Sequence, residues 1–440
     1  MEKNENISFI TFRSLVEPLN GTVNFWLQDT SHPWHISIPW YSATETCADV
    51  FASDSGRKEF LKLAATSWDL IVVDGCFAPC GMILAKLNGG PSAVFDTSKS
   101  CISVHNAKGT MLWWSLYPYM QGSVSLRSIS SFQERLINFA SLVLVHLKIK
   151  LVFKLIPYRV HFHDAGNIED FYGSSLFGVS AMPFGLDFNV PRVQDVFRFQ
   201  LHCPKYQPLL SEYVSFVDDR HSKGTIIIAL GHYASWQNAP QRIFQALLTV
   251  FDNMTEYRFV WQYGVKSKVA VKFPKHIMTT SWLPQTALLN HPKTVLFISH
   301  MGLKSITEAI CARVPVIALP LFAEQHVTTR LIVSKELGLH LDRHSMTADD
   351  VDFAIRQVLT DERYKRNVVR FYEMFTDHLN KNSDEVASKV EFFMRHKQEM
   401  HFVRQKGAQL KFFVLYGDDA VFVFLCILSL LSKDSGQSLN

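Results

Sequence analysis

The sequence lacks the two glycine-rich motifs that identify many nucleotide sites. No G-x-G-x-x-G follows any apolar run, and no G-x-x-x-x-G-K-[ST] occurs anywhere in the 440 residues. The first motif brings a dinucleotide pyrophosphate close to the backbone, and the second forms a phosphate-binding loop. Their absence excludes a typical NAD-dependent dehydrogenase and a P-loop enzyme.

An excess of charge of one sign is also missing. The chain has 44 basic and 40 acidic residues, a net charge of +4, and no clustered basic stripe. A protein that reads a phosphate backbone needs such a stripe, so nucleic acid is not an expected partner. The acidic pattern D-V-D at 350–352 lies in the first turn of a predicted helix. Acids there favour the helix dipole, so no metal ion is expected.

Seven cysteines are spread along the chain without a C-x-x-C pair. This spacing does not resemble a disulfide scaffold, and it leaves the redox compartment open. The N-terminus has acids among its first residues and no long apolar stretch. It is therefore not expected to act as a secretory signal as it stands.

Long hydrophobic runs are scarce. Residues 420–431 are twelve uninterrupted apolar residues, whereas a spanning helix needs ~20. Two interpretations of this segment remain open, a buried terminal helix and a clipped or interfacial membrane anchor.

A regular alternation of short apolar runs with helical patterns is present from residue 69 onward. The chain has 440 residues, more than the ~250 to 300 at which single cores stop growing, so two domains are expected. The predicted strands are 69–74, 92–96, 224–231, 257–264, 294–299 and 314–320, and the predicted helices are 79–87, 240–251, 303–311, 324–337 and 347–359. Several strands are apolar at consecutive positions, as strands covered by helices on both faces require. The alternation therefore predicts doubly wound parallel sheets in an α/β protein.

The alternation is interrupted between about 97 and 222, where no strand is predicted. A long apolar helix is predicted at 131–156, interrupted by His146, Lys148 and Lys150. It is interpreted either as a helix packed between domains or as a surface that dips into a membrane. The proline-containing stretch that follows holds the predicted linker, 201–222.

Polar residues follow the predicted strands where each strand ends. They are Asp74, His232, His300 with Gly302, and Glu324 with Gln325. In open α/β sheets, ligands bind beyond the carboxyl ends of the strands. These residues are therefore the first candidates for a binding site.

The stretch from His300 to Glu308 has the features of an anion site. Gly302 lets the backbone approach a ligand, and the helix predicted to begin at Leu303 directs unpaired N–H groups to the same place. His300 and Ser305 add donors, and Glu308 adds an acceptor for ribose hydroxyls. The alternatives are a core histidine that caps a strand end and, for Ser305 with Glu308, a plain capping box.

The segment from Trp282 to Gln325 closely resembles the signature of the UDP-glycosyltransferases of glycosyltransferase family 1, in particular the animal UDP-glucuronosyltransferases. It has a tryptophan, a glutamine three residues later, a His-x-Gly-x-x-Ser-x-x-Glu block, and a closing acid–glutamine pair. The resemblance extends more weakly from about residue 69 to the C-terminal tail. The family often has glycine where Met301 stands and commonly has Asp where Glu324 stands.

The resemblance implies a GT-B fold, in which two Rossmann-like domains face each other across a cleft. The expected organisation is an N-terminal acceptor-binding domain at 1–200, the linker at 201–222, a C-terminal UDP-sugar-binding domain at 223–400, and a tail at 401–440. It also implies roles for individual residues. Trp282 would stack on uracil, Gln285 would contact the nucleoside, His300, Gly302 and Ser305 would hold the diphosphate, Glu308 the ribose, and Glu324 with Gln325 the donor sugar.

In the family the catalytic base is a histidine oriented by an aspartate, which Asp74 resembles. The chain is expected to begin after the family's first strand–helix–strand unit, so that this histidine is missing and the N-terminal domain is incomplete. His32 and His35 are the nearest substitutes in the sequence.

The implied function is transfer of glucuronic acid or glucose from its UDP derivative to a small lipophilic acceptor, with inversion. The UDP-sugar is a co-substrate, and no cofactor is expected. The alternative is a catalytically impaired sugar-nucleotide-binding protein that acts as a partner of intact relatives. The resemblance further implies an endoplasmic reticulum membrane location through the tail, and association into homo- or hetero-oligomers.

Overall fold

The computed structural model describes residues 24, 26–27, 37–96, 102–110, 131–186, 193–200, 202–205, 207–231, 236–264, 272–322, 324–403 and 426. His32, His35 and His232, as well as the apolar segment 420–431 apart from residue 426, lie outside this part of the chain.

The first domain contains a parallel sheet of four strands in the order β1-β2-β3-β4. The strands are β1 (Ile71–Asp74), β2 (Ser92–Asp96), β3 (Phe177–Ser180) and β4 (Val196–Arg198). Strands β1 and β2 confirm the predicted runs. The prediction that no strand lies between 97 and 222 is wrong, because β3 and β4 have only four and three residues. Runs that short show no periodicity in the sequence.

The second domain contains a parallel sheet of six strands in the order β10-β9-β8-β5-β6-β7. The strands are β5 (Thr225–Ala229), β6 (Arg258–Gln262), β7 (Ile277–Thr280), β8 (Thr294–Ser299), β9 (Val316–Ala318) and β10 (Gly338–His340). The four predicted strands of this region are confirmed. The missed strands, β7 and β10, are short, lie at the two edges of the sheet, and are only partly buried.

Helices pack on both faces of the second sheet and on the first sheet, where Val72 of β1 remains exposed. They are α1 (Ser37–Ala52), α2 (Asp54–Ala65), α3 (Pro79–Asn88), α4 (Ile102–Ala107), α5 (Phe132–Arg159), α6 (Asp170–Ser174), α7 (Ser211–Val217), α8 (Gln241–Asn253), α9 (Gln285–Leu289), α10 (Leu303–Cys311), α11 (Gln325–Ser334), α12 (Ala348–Thr360) and α13 (Glu362–Arg395). In β5, Ile226 and Ile228 pack with α8 and α12, whereas Ile227 packs with α10 and α13. This double burial explains why β5 is apolar at consecutive positions.

The acidic pattern at 350–352 serves the helix that contains it. Thr347 and Asp350 form a capping box at the start of α12. Asp352 forms a salt bridge with Arg356, with 2.8 Å between Oδ2 and Nε. Both acids therefore have structural partners within the first turns of the helix.

Helix α13 has 34 residues and belongs to both domains. Phe371 and Phe375 in its first half lie in the core of the second domain. Near its end, Phe393 stacks on Phe197 of β4, with ring centroids 6.0 Å apart. The chain thus returns to the first domain before residue 400, the predicted end of the C-terminal domain.

Helix α5 packs on the first domain with one face only. Val145, Ile149 and Phe153 are buried in the domain core, and Phe153 contacts Trp40 of α1. The opposite side exposes Phe132, Leu136, Ile137, Phe139, Leu144, Leu147, Leu151, Leu155 and Tyr158. By length and composition α5 is the one helix among the described residues that could cross a membrane, and 28% of its most apolar window is buried. Helix α5 therefore packs on its own domain with one side and leaves the other side exposed to solvent.

Two disulfides join segments that are distant in the sequence. Cys47 of α1 pairs with Cys80 of α3, 33 positions away, and Cys203 pairs with Cys311 of α10, 108 positions away. Pairing over such separations leaves no local spacing pattern to recognise, which is why the sequence did not indicate it.

Candidate functional site

The candidate residues of the second domain meet at the carboxyl edge of its sheet. Strand β8 lies between β5 and β9, and Ala229, Ser299 and Ala318 are neighbours across the three strands. The segments that follow these strands therefore emerge side by side. This is the edge at which open α/β sheets bind ligands.

His300 lies in a slot between two glycines. A Cβ atom on Gly231 would stand 2.9 Å from its Nε2 atom, and one on Gly302 would stand 2.7 Å from the same atom. Gly302 has φ −63°, so it is not required for an unusual backbone angle. It is required because the imidazole occupies the space where a side chain would be. Met301 has φ +68° and is buried, which suits the glycine that the family resemblance places there.

The N-terminus of α10 is not capped by a side chain. Gly302 is the N-cap residue, and no side-chain hydrogen bond closes the first turn. The capping-box alternative for Ser305 and Glu308 is therefore wrong, because Ser305 is the third residue of the helix rather than its cap. Lys304 is exposed on the same turn and adds positive charge. Such an end attracts an anion through its N–H groups and the helix dipole.

Gln285, Ser305 and Glu308 are brought together by α9 and α10. The amide Nε2 of Gln285 donates to Ser305 Oγ at 3.3 Å and also to the carboxylate of Glu308. Thr286 Oγ1 donates to Glu308 Oε1 at 3.1 Å. Sequence reasoning missed Thr286 because its partner lies 22 positions away. The result is a polar cluster with a carboxylate acceptor at its centre.

Trp282 presents its side chain to solvent beside this cluster. The residue is 61% exposed, which is unusual for so large an apolar side chain. Its backbone is held by Thr280, whose hydroxyl donates to the Trp282 carbonyl at 2.9 Å. An exposed indole on a fixed backbone can serve as a stacking surface for a planar ligand.

Glu324 and Gln325 lie at the start of α11. Gln325 is buried, and its Oε1 accepts from the backbone N–H groups of Leu321 at 2.8 Å and Phe322 at 3.1 Å. The amide oxygen thus shapes the loop after β9. Glu324 is half-buried, and burial raises the pKa of its carboxyl above the ordinary value. A desolvated carboxyl gains from partners that donate hydrogen bonds, such as sugar hydroxyls.

A buried arginine holds the loop after β9 through a backbone carbonyl. Arg343 is 3% exposed and donates from Nη1 to the carbonyl of Pro320 at 2.7 Å. Burial, with Arg343 and Arg330 nearby, lowers the pKa of His326 from 6.5 to about 3. His326 is therefore neutral at physiological pH. No motif in the sequence indicated these supporting residues.

Asp74 ends β1 in the first domain. Its Oδ1 accepts from the N–H of Cys76 at 2.7 Å, which closes a turn. Phe77 follows with φ +64°, and Tyr172 donates its hydroxyl to the Gly75 carbonyl at 2.8 Å. Asp74 thus caps a turn at the end of its strand. A carboxylate can accept several hydrogen bonds, so the turn and a role in orienting a base are compatible.

Comparison with known proteins agrees with this architecture. The family described as "UDP-glucoronosyl and UDP-glucosyl transferase" matches residues 19–432. UDP-glucuronosyltransferase 1A10 of Homo sapiens is 26% identical over 390 residues, which cover 87% of this chain and 70% of that protein.

Two solved structures share the fold. The glycotransferase of kitacinnamycin superimposes with a TM-score of 0.54 and 16% identity, over 79% of this chain and 82% of that one. Os79 from O. sativa in complex with UDP gives a TM-score of 0.53 and 18% identity, over 80% and 81%. The expected GT-B fold, with a Rossmann-like sheet in each domain, is confirmed.

Proposed function

Because this chain belongs to the UDP-glucoronosyl and UDP-glucosyl transferase family, we propose that it transfers glucuronic acid or glucose to the hydroxyl of a small lipophilic acceptor, with inversion. It is a glycosyltransferase that takes its sugar from a UDP-sugar. The observation that carries the proposal is the cluster of Gln285, Ser305 and Glu308 beside the uncapped end of α10.

Different residues bind the base, the ribose, the diphosphate and the sugar of the donor. Trp282 stacks on the uracil ring, a contact worth ~1 to 3 kcal/mol where such stacks have been truncated. Gln285 contacts the nucleoside, and Glu308 accepts hydrogen bonds from the ribose. The diphosphate lies at the first turn of α10, where His300 and Ser305 donate to it. Glu324 and Gln325 meet the sugar hydroxyls from the loop after β9.

Transfer with inversion follows from attack on the face of the sugar opposite the diphosphate. The acceptor oxygen bonds to the anomeric carbon while the bond from that carbon to the diphosphate oxygen breaks. UDP leaves with the bonding electron pair, and the N-terminus of α10 stabilises its negative charge. A base takes the acceptor proton, for which His32 and His35 are the nearest substitutes in the sequence, and Asp74 orients that base.

A membrane-associated location is supported by α5 and by the disulfides. The side of α5 that faces solvent carries the nine large apolar side chains named above. After Glu134 the only charged residues of the helix are basic, Arg135, Lys148, Lys150, Lys154 and Arg159. Apolar side chains with basic neighbours suit an anionic lipid surface. Two disulfides suit an oxidising compartment such as the endoplasmic reticulum lumen.

Titration calorimetry tests the donor assignment. We expect the purified chain to bind UDP more tightly than ADP, and His300→Ala to weaken binding of UDP by ~1 to 3 kcal/mol. Uridine lacks the diphosphate, so its affinity should change little. Equal affinity for UDP and ADP would contradict the nucleoside assignment, and equal losses for UDP and uridine would show that His300 is only structural.

A further inference from the structure

The Cys203–Cys311 disulfide joins the interdomain linker to the helix that holds the donor. Cys311 is the last residue of α10, the helix on which Ser305 and Glu308 lie. Glu308 precedes Cys311 by three residues, about 4.5 Å along the helix axis. The carbonyl of Glu308 accepts from the N–H of Ala312 at 2.9 Å. The disulfide therefore holds the same turn that carries the ribose acceptor.

The linker side of the disulfide is anchored where the two domains join. Three residues before Cys203, the N–H of Gln200 donates to Asn382 Oδ1 at 2.8 Å. The side-chain Nε2 of Gln200 donates to the carbonyl of Phe375 at 2.9 Å. Both partners belong to α13, the helix that passes from the second domain to the first. Cys203 thus connects α10 to a segment that is already fixed to both domains.

Both ends of α10 are consequently held by specific contacts. At its beginning, the His300 ring fills the slot between Gly231 and Gly302. At its end, Cys311 is 8% exposed and bonded to Cys203. Between these points lie the uncapped first turn and the carboxylate that the proposed donor site uses.

We propose that Cys203 and Cys311 are positioning residues of the donor site. Their disulfide fixes α10 relative to the linker, so that Ser305 and Glu308 meet the diphosphate and the ribose without rearrangement. Reduction of this bond lowers the affinity for UDP. The inference rests on the proposed donor site and adds to it a dependence on the redox state of one cysteine pair.

The second disulfide supplies a control within the same chain. Cys47 and Cys80 join α1 to α3 inside the first domain, and the core cluster around them contains no residue of α9 or α10 among the described residues. Its removal also releases a constraint on the unfolded chain, so it controls for a general loss of stability. It does not touch the residues proposed to bind UDP.

Calorimetry on two double variants compares the pairs. We expect Cys203→Ser with Cys311→Ser to raise the Kd for UDP about threefold to tenfold, the size of a modest coupling between distant sites. Cys47→Ser with Cys80→Ser should lower the melting temperature but leave the Kd for UDP within about twofold. Equal effects of the two double variants on the Kd would overturn the inference.

A second measurement needs only the wild-type chain. Dithiothreitol reduces a disulfide by two electrons, which yields two cysteine thiols and its own cyclic disulfide. If the oxidised pair binds UDP more tightly, UDP must by the same factor disfavour reduction of that pair. Alkylation of the thiols followed by mass spectrometry should show that UDP protects Cys203–Cys311, whereas Cys47–Cys80 is reduced equally with and without UDP.

The outcomes separate the inference from the donor assignment on which it rests. If the wild-type chain does not bind UDP, the donor assignment fails. If it binds UDP, but UDP protects neither cysteine pair from reduction or protects both pairs equally, the positioning role of Cys203 and Cys311 is wrong.

Discussion

The Nε2 atom of His300 lies 2.9 Å from the point where a Cβ atom would stand on Gly231. Gly231 follows β5 and His300 follows β8, so this contact joins two neighbouring strands at the edge that is proposed to bind the donor. The position of the imidazole therefore depends on a residue with no side chain.

We expect Gly231→Ala to displace His300 and to raise the Kd for UDP about tenfold, the cost of one charge-assisted hydrogen bond. Gly231 also has φ +76°, so alanine adds backbone strain. Gly89→Ala is the matched control, because Gly89 has φ +69° and open space around its Cβ position. It should lose ~1 to 2 kcal/mol of stability with no change in UDP affinity. Unchanged UDP binding by Gly231→Ala would show that the His300 position does not matter.

Thr286→Val tests a residue that only the structure indicated. Valine keeps the shape but removes the hydroxyl that donates to Glu308 at 3.1 Å. We expect a loss of about 1 kcal/mol in binding of both UDP and uridine, because Glu308 is proposed to contact the ribose. Thr376→Val is the control, since that hydroxyl donates to backbone carbonyls within α13. Loss of UDP affinity without loss of uridine affinity would contradict the ribose assignment.

Asp74→Asn separates the two roles of this residue. Asparagine retains an Oδ1 acceptor for the Cys76 N–H, so the turn after β1 should persist and the melting temperature should stay the same. The negative charge that orients a base is lost, and turnover should fall by ~10² to 10⁴. A transfer assay with UDP-sugars and a panel of phenols measures this. Full activity of Asp74→Asn would show that Asp74 only closes the turn and does not orient a base.

The stability of the protein should fall in acid because of His326. Its pKa is lowered from 6.5 to about 3 in the folded chain. As the pH falls below 6.5, the unfolded chain takes up a proton that the folded chain does not. Each pH unit between 6.5 and about 3 then removes about 1.4 kcal/mol of unfolding free energy per such group.

Urea unfolding at about pH 7 and about pH 5 checks this expectation, because the window of destabilisation begins near the ordinary histidine pKa. His326→Gln should reduce the difference between the two unfolding midpoints. His401→Gln replaces an exposed histidine and should leave the difference unchanged. If both variants behave like the wild type, burial of His326 does not contribute to acid sensitivity.

Replacement of two exposed leucines of α5 tests its contact with lipid. Leu147→Glu with Leu151→Glu should lower binding to phosphatidylserine vesicles at least about tenfold, because burial of one leucine is worth ~1.5 to 3 kcal/mol. Phe353→Glu, which changes an exposed apolar residue of α12, should not affect flotation with the vesicles. If the double variant binds as well as the wild type but no longer forms dimers, the exposed side of α5 contacts a second copy instead.

The sequence predicts the strands and the helix around the proposed donor site well because these elements are locally encoded. Helix α10 begins and ends at the predicted residues, Leu303 and Cys311, since a buried strand, a glycine and a periodic helix follow one another there. The contact of Thr286 with Glu308 and the Cys203–Cys311 bond join distant positions, and no local pattern specifies them. Asp74 was found by its place at a strand end, whereas its bond to Cys76 depends on turn geometry.

The course of α13 has a consequence for how the two domains can move. Two of the passages between them are the linker and α13, and Trp26, which precedes the helices of the first domain, packs in the core of the second. The contact of Gln200 with Asn382 places these two passages next to each other. These two adjacent connections resist sliding of one sheet past the other where they lie together, and they favour rotation instead. Relative rotation of the two domains is therefore expected to pivot near Gln200.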